Sequence, residues 1–247
     1  MSGHSKWAQI KRQKGVADIK KGQVFTKLAN AITIAIRQGG GIADAESNFR
    51  LRLTIEKARQ ANMPKENIER AIERGAGKAG GGMEEVVYEG YGPGGVAVMV
   101  EAATDNRQRT TGEVRNIFDK GGGNLGSKGA VSYLFESVGT ITVAKDGKGA
   151  DEIMLLAIDA GAQDIEEAGE MVEIYTKPEE LNVVKEKLAA GGLKVESVEL
   201  AQKPKTTVAV SDPQTARKVL AFMEKVENLD DVQKVYANFD IPDELLK

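Results

Sequence analysis

The stretch GAGKAGGGMEEVVYEGYGPGGVAVMVEA, residues 75–102, divides the chain into two kinds of structure. Before it, apolar residues recur every three or four positions, the period of a helix face; after it they alternate, the period of a strand. Its first eight residues, Gly75 to Gly82, hold five glycines and read as a linker. Val86 to Tyr91 and Val96 to Ala102 then flank a glycine-rich turn, which predicts a β-hairpin.

Toward the N-terminus, Val24, Leu28, Ile32 and Ala35, with Phe25, Ala29 and Ile36, predict a helix that stops at Gly39-Gly40-Gly41. Leu51, Ile55 and Ala58 mark a second helix ending near Asn62. Pro64 suits the first position of a third, whose apolar stripe is Ile68, Ala71 and Ile72. Residues 1–23 have few apolar side chains beyond Trp7, Ile10, Val16 and Ile19, and are expected to be mobile or loosely helical. Toward the C-terminus the pattern predicts a helix over 106–120 and a strand over 131–135. Residues 138–203 read strand, helix, strand, strand, helix, strand, the order of a ferredoxin-like split β-α-β unit. Residues 205–238 add a strand, a helix and a strand. The fold class is α+β.

Charge is as unevenly spread as structure. Residues 1–78 carry 16 Lys and Arg against 7 Asp and Glu, net +9, whereas residues 79–247 are net −12. The first 37 residues hold eight cations and a single acid, Asp18. An ordinary solvated helix mixes signs, so a one-sign segment on an acidic chain points to a polyanion, nucleic acid first.

The same composition disfavours other classes. With no cysteine, disulfides and thiolate metal sites are ruled out, and His4 is the only imidazole. No apolar run approaches the roughly 18 residues a membrane span needs, so a cytoplasmic protein without a membrane partner is expected. No spacing of carboxylates singles out a catalytic pair. A binder rather than an enzyme is expected, with no cofactor, metal or small-molecule substrate implied.

Two glycine patterns imitate nucleotide sites. Gly90-Tyr91-Gly92-Pro93-Gly94-Gly95 satisfies G-x-G-x-x-G, but a strand follows it where a dinucleotide site needs a helix N-terminus, so a turn is the better reading. Gly121 to Lys128 approaches a phosphate loop with its final Lys and Ser inverted. A flexible helix-to-strand connection is expected there.

The candidate nucleic-acid-binding residues fall in two groups. In the basic arm, Trp7 could stack on a base while His4, Lys6, Lys11, Arg12, Lys14, Lys20, Lys21 and Lys27 neutralise phosphates; alternatively, Trp7 and Ile10 pack on the helical domain. In the second, Thr104 or Asp105 caps a helix whose first turns carry Arg107 and Arg109. Those arginines face either an anionic partner or the nearby Glu101 and Glu113. The helices flanking Asn62-Met63 suggest a helix-turn-helix, but Glu66, Glu69 and Glu73 interrupt Lys65, Asn67, Arg70 and Arg74, so a structural role with a Glu66–Arg70 pair is expected.

Several long segments, in order, resemble one family. They are Ser2-Gly3-His4-Ser5-Lys6-Trp7, Asn62-Met63-Pro64 with Asn67-Ile68-Glu69-Arg70-Ala71-Ile72, Tyr88 to Gly95, Thr104-Asp105-Asn106-Arg107 with Arg109-Thr110, Gly122-Gly123-Asn124-Leu125-Gly126 and Tyr133-Leu134-Phe135. Together they resemble the YebC/PmpR family from end to end. The resemblance implies three domains: 1–78, a basic arm plus three helices; 79–136 with 204–247, a central α/β domain; and 137–203, an inserted ferredoxin-like domain. It also implies a DNA-binding transcriptional regulator. Other relatives, including the mitochondrial translational activator of cytochrome c oxidase, resemble ribosome-associated factors that contact ribosomal RNA and ease translation through proline stretches. The chain departs from the family pattern at Lys20-Lys21-Gly22-Gln23 and at Asn30, where a charged residue is common.

Overall fold

A computed structural model describes Trp7, Ile10 and residues 21–77 and 82–246. The order of elements is α1 Lys21–Gln38, α2 Phe49–Gln60, α3 Lys65–Ala76, β1 Glu84–Tyr91, β2 Ala97–Thr104, α4 Arg107–Lys120, β3 Asn124–Leu125, β4 Phe135–Ala144, α5 Ala150–Ala160, β5 Asp164–Ala168, β6 Met171–Thr176, α6 Leu181–Ala190, β7 Val195–Pro204, β8 Val208–Ala209, α7 Pro213–Glu227, β9 Val232–Ala237 and β10 Phe239–Asp240. The chain forms two compact bodies. One contains the helices α1–α3, the elements up to Ser132, and Val210–Ala237; the other contains Tyr133–Ala209, the segment from Asn238 onward, and Trp7 and Ile10.

In the first body, α1 packs on α2 and α3 around Leu28, Ile32, Ile36, Leu51, Ile55 and Ile68. Asn48 joins the turn between α1 and α2 to the core. Its Oδ1 caps α2 by accepting from the Leu51 N–H at 3.1 Å, and its Nδ2 donates to the Ala35 and Ile42 carbonyls at 3.0 and 2.9 Å. Asn30, one of the departures from the family pattern, is buried and accepts from Arg74 at 3.0 Å; Arg74 also donates to Thr33. Arg74 therefore ties α3 to α1 rather than presenting itself to a groove. An ion pair on α3 forms between Lys65 and Glu69 at 3.5 Å, while the expected partners Glu66 and Arg70 do not meet.

The central sheet has the order β3-β1-β2-β9, all antiparallel. Its hairpin is the one the alternation predicts. The turn is a 3₁₀ segment, Pro93–Gly95, in which Gly94 and Gly95 take φ of 72° and 74°, conformations that side chains disfavour. Gly90 answers a different need, because a Cβ there would strike the Asn124 carbonyl and lie 2.7 Å from the Phe118 ring. Gly90→Ala is expected to cost about 2–3 kcal/mol, an overpacking penalty, read as a lower denaturation midpoint with an unchanged slope.

Two expectations are corrected between α4 and β4. Gly121 to Lys128 is not a loose connection: Asn124 and Leu125 pair with Tyr91 and Gly90 as the edge strand β3. The strand expected over 131–135 is instead a 3₁₀ turn at Ser132–Leu134, and β4 starts at Phe135 and runs ten residues. Val131 looked like strand because it is apolar, but it is buried as part of a folded loop.

The second body is the ferredoxin-like unit, with strand order β5-β6-β4-β7 and α5 and α6 as its two crossover helices. Ile153, Ala157, Leu181, Val184 and Leu188 are the buried faces of those helices. β8 and β10 form a short parallel pair in the same body.

Candidate nucleic-acid interface

Of the basic arm, Trp7, Lys21 and Lys27 lie within the described residues; His4, Lys6, Lys11, Arg12, Lys14 and Lys20 lie outside them. Trp7 is helical and only 8 % exposed, so in this conformation its ring is not open for stacking on a base. Trp7 and Ile10 belong to the body that holds the inserted sheet, not to the one that holds the helices α1–α3. Lys21 opens α1.

Lys27 is turned inward along its own body. Its ammonium donates to the Glu227 carbonyl at the C-terminal end of α7, where the helix dipole favours a cation. One turn earlier, Gln23 donates to the Asn228 carbonyl at 2.7 Å and to the Asp230 carboxylate at 2.8 Å. The first turns of α1 are thus moored to the end of α7.

The Thr104 to Thr111 segment separates its two arginines. The cap of α4 is neither Thr104 nor Asp105 but Asn106, whose side chain accepts from the Arg109 N–H at 3.1 Å. Thr104 acts one step earlier, accepting from the Asn106 N–H at 2.9 Å. Arg109 bonds Asp231 at 2.7 Å and Asp105 at 3.0 Å. Asp231 also accepts from the buried Thr110 hydroxyl at 2.6 Å, which in turn lies 2.8 Å from that of Thr104. Burial pushes the Asp231 carboxyl up, but Arg109 and Thr110 outweigh it and hold the pKa below the ordinary value. Arg109 is therefore anchored by Asp105 and Asp231, not by the Glu101 and Glu113 that sequence proximity offered. Glu101 instead lies opposite Lys234 on β9 and accepts from Tyr236 at 3.3 Å, and burial raises its pKa. Arg107, two residues earlier, is exposed and unpaired among the described residues.

A second cationic feature was not legible in the sequence. α4 and α7 pack through Phe118 and Phe222, edge to face at 4.9 Å, and leave a groove of about 660 Å³ beside the contact. Ile117 and Phe222 line it, and Lys120, Lys218 and Lys225 stand around it. All three lysines are exposed, and none forms an ion pair among the described residues. About a hundred residues separate Lys120 from the other two, so no local charge run announces them.

The hallmark Glu89 of the Tyr88 to Gly95 segment is structural. Only 4 % exposed, its carboxylate accepts from the N–H groups of Gly129, Val131 and Ser132 at 2.9, 2.9 and 2.8 Å. The backbone just past the Gly121 to Lys128 stretch thus holds an anion, and that anion is a side chain of the protein. No cluster of three potential metal ligands occurs among the described residues, and no helix there is long and apolar enough to cross a membrane.

These features define an α+β protein with an N-terminal helical segment, a central antiparallel sheet, an inserted ferredoxin-like unit and glycine motifs that serve packing. The family is shown by sequence: residues 5–78 match the TACO1/YebC protein N-terminal domain and residues 83–239 match the TACO1/YebC second and third domain, and the chain belongs to that family. Curated relatives span it completely. A protein of Persephonella marina is 54 % identical over 249 residues, covering 100 % of this chain and 99 % of its own. One of Aquifex aeolicus is 52 % identical over 248 residues with the same coverage. Both are named probable transcriptional regulatory protein. A crystal structure of a conserved hypothetical protein from Aquifex aeolicus superposes with a TM-score of 0.86 at 51 % identity, covering 93 % of this chain and 94 % of that one.

Proposed function

We propose that this protein is a non-enzymatic, cytoplasmic nucleic-acid-binding regulator, a DNA-binding transcriptional regulator that grips phosphate through its basic arm, with Arg107 and the lysines of the α4–α7 groove as further contacts. The observation that carries the reading is the division of charge, net +9 before residue 79 on an otherwise acidic chain. Relatives at about half identity carry regulatory names, which supports the same class.

A second reading, a ribosome-associated translation factor contacting ribosomal RNA, is favoured by a specific feature. A sequence-specific DNA reader holds Arg, Asn or Gln on a rigid element that enters a groove. Here Arg74 and Arg109 are bound internally, and what stays exposed is suited to phosphate backbones in either polymer.

The test compares binding to promoter DNA, random DNA and purified ribosomes at two salt concentrations, for the parent and for a variant with Lys11, Arg12 and Lys14 changed to Ala. If the arm closes on about six phosphates, affinity is expected to fall roughly a thousandfold between about 50 and 200 mM salt, with a shallower salt slope in the triple variant. Preference for one DNA sequence supports the regulator; salt-resistant ribosome binding beside weak, sequence-independent DNA binding supports the translation factor. Affinities unchanged by the triple substitution would remove the arm from the interface.

A further inference from the structure

The groove between α4 and α7 gathers three kinds of side chain, and the combination is more specific than its charge. The floor is apolar, with Ile117 from one helix and Phe222 from the other. At the rim stand two amides, Asn116 and Asn228; both residues are exposed, and neither side chain has a hydrogen-bond partner among the described residues. Around them are Lys120, Lys218 and Lys225, while no carboxylate belongs to the described residues that line the groove. On a stretch of chain that is net −12, cations gathered without counter-charge are an exception.

Each kind answers one part of a nucleotide. Lysines neutralise phosphate, an apolar floor takes the face of a base out of water, and an amide presents a donor and an acceptor to its edge, as Asn does in bidentate contact with adenine. The volume, about 660 Å³, falls within the roughly 300–1,000 Å³ of small-ligand pockets. Backbone bonds fix one rim: Gln23 donates to the Asn228 carbonyl at 2.7 Å, and the Asn228 N–H donates to the Glu224 carbonyl at 2.9 Å. The lysines alone would suit an acidic peptide equally well; the two amides are what favours a base.

The spacing of the cations favours a strand over a free nucleotide. Lys218 and Lys225 are seven positions apart on α7, about 10 Å along its axis, which spreads charge along the groove instead of focusing it on one phosphate. A duplex fits less well, because its bases are stacked on both faces and paired at their edges, and one must be extruded before it can enter a pocket. Trp7, the aromatic that the sequence offers for stacking, is only 8 % exposed, so among the described residues the groove is the better place to receive a base.

We propose that the α4–α7 groove is a single-strand site that takes one unstacked nucleotide, its base against Ile117 and Phe222, its edge on Asn116 and Asn228, and the neighbouring phosphates on Lys120, Lys218 and Lys225. The site rests on the nucleic-acid-binding function proposed above and adds a substrate class to it: single strands, or the unpaired loops and ends of folded RNA.

Two full-length variants are compared with the parent, Asn116→Ala with Asn228→Ala, and Lys120→Ala with Lys218→Ala and Lys225→Ala. All five positions are exposed, so both variants are expected to melt with the parent. The probes are a labelled oligoadenylate of about twelve nucleotides, an abasic strand of the same length, a DNA duplex, purified ribosomes and an acidic peptide of Glu and Leu. The parent should bind oligoadenylate about tenfold more tightly than the abasic strand. The amide variant should lose that margin with its salt dependence unchanged. The lysine variant should bind both strands more weakly, with a plot of log affinity against log salt shallower by about two, at roughly 0.7 per phosphate on a single strand. Equal binding of the two strands by the parent, or a margin that survives in the amide variant, overturns the site while leaving the proposed function in place. Tighter binding of the peptide than of oligoadenylate, lost in the lysine variant, also overturns it and makes the groove a protein-docking surface. A parent that binds no strand, duplex or ribosome removes the proposed function, and the site with it.

Discussion

Glu89→Ala is expected to destabilise the body built on the central sheet by about 3–5 kcal/mol, because it strips the buried Val131 N–H and the partly buried Gly129 and Ser132 N–H groups of their acceptor at once. The loss should appear as a fall of about 10 °C in the melting temperature of that body, at roughly 2–4 °C per kcal/mol. Hydrogen exchange should show it locally, with the amides of Gly129, Val131 and Ser132 losing protection first. Glu89→Gln separates charge from shape: it keeps an acceptor oxygen but not the anion, so an intermediate loss is expected. The pH dependence follows in sign. Burial raises the Glu89 pKa, the three N–H bonds more than offset it, and the net displacement is downward. A depressed folded-state pKa gives stability that is complete above the ordinary carboxylate range and is lost as pH falls through the folded value. Parent and Glu89→Ala should therefore converge in stability under acid, and a constant gap down to low pH would contradict the assignment.

Asp231→Ala is expected to cost about 2–3 kcal/mol, less than Glu89→Ala because Arg109 is half exposed and can turn to water. The buried hydroxyls of Thr110 and Thr104 cannot, and they lose the acceptor that joins α4 to the start of β9. The Asp231 pKa is displaced downward, as that of Glu89 is, so its contribution should also vanish as pH falls. Nucleic-acid affinity supplies the contrast. Arg107→Ala should weaken binding with stability unchanged, whereas Asp231→Ala should lower stability more than affinity. The reverse pattern would mean that Arg109, not Arg107, is the contact.

How much of this could be read from the chain depended on whether the cause was local. Helices α1–α3, the hairpin and the ferredoxin-like order follow from the period of apolar residues, and the glycine turn from the strand behind it. β3 was missed because two residues carry no alternation, and its strand character comes from pairing with Gly90 and Tyr91, more than thirty residues away. The identity of the α4 cap was missed because three adjacent residues could all serve, and the choice is settled by Thr104 being drawn into the Asp231 network. The candidate surface shows the same division. The arm's charge is visible as composition, but the partner of Arg109 lies 122 positions on, and the groove lysines meet only when α7 packs against α4.

The antiparallel pairing of β2 with β9 sets a timetable for synthesis. Some 130 residues separate the two strands, so one edge of the β1–β2 hairpin has no mate until nearly the whole polypeptide has emerged. At roughly 5–20 residues per second that interval is on the order of ten seconds, long compared with hairpin closure in microseconds. The ferredoxin-like unit, whose four strands are contiguous in sequence, can finish folding inside that window, leaving the older half of the nascent chain as the species in need of chaperone shelter.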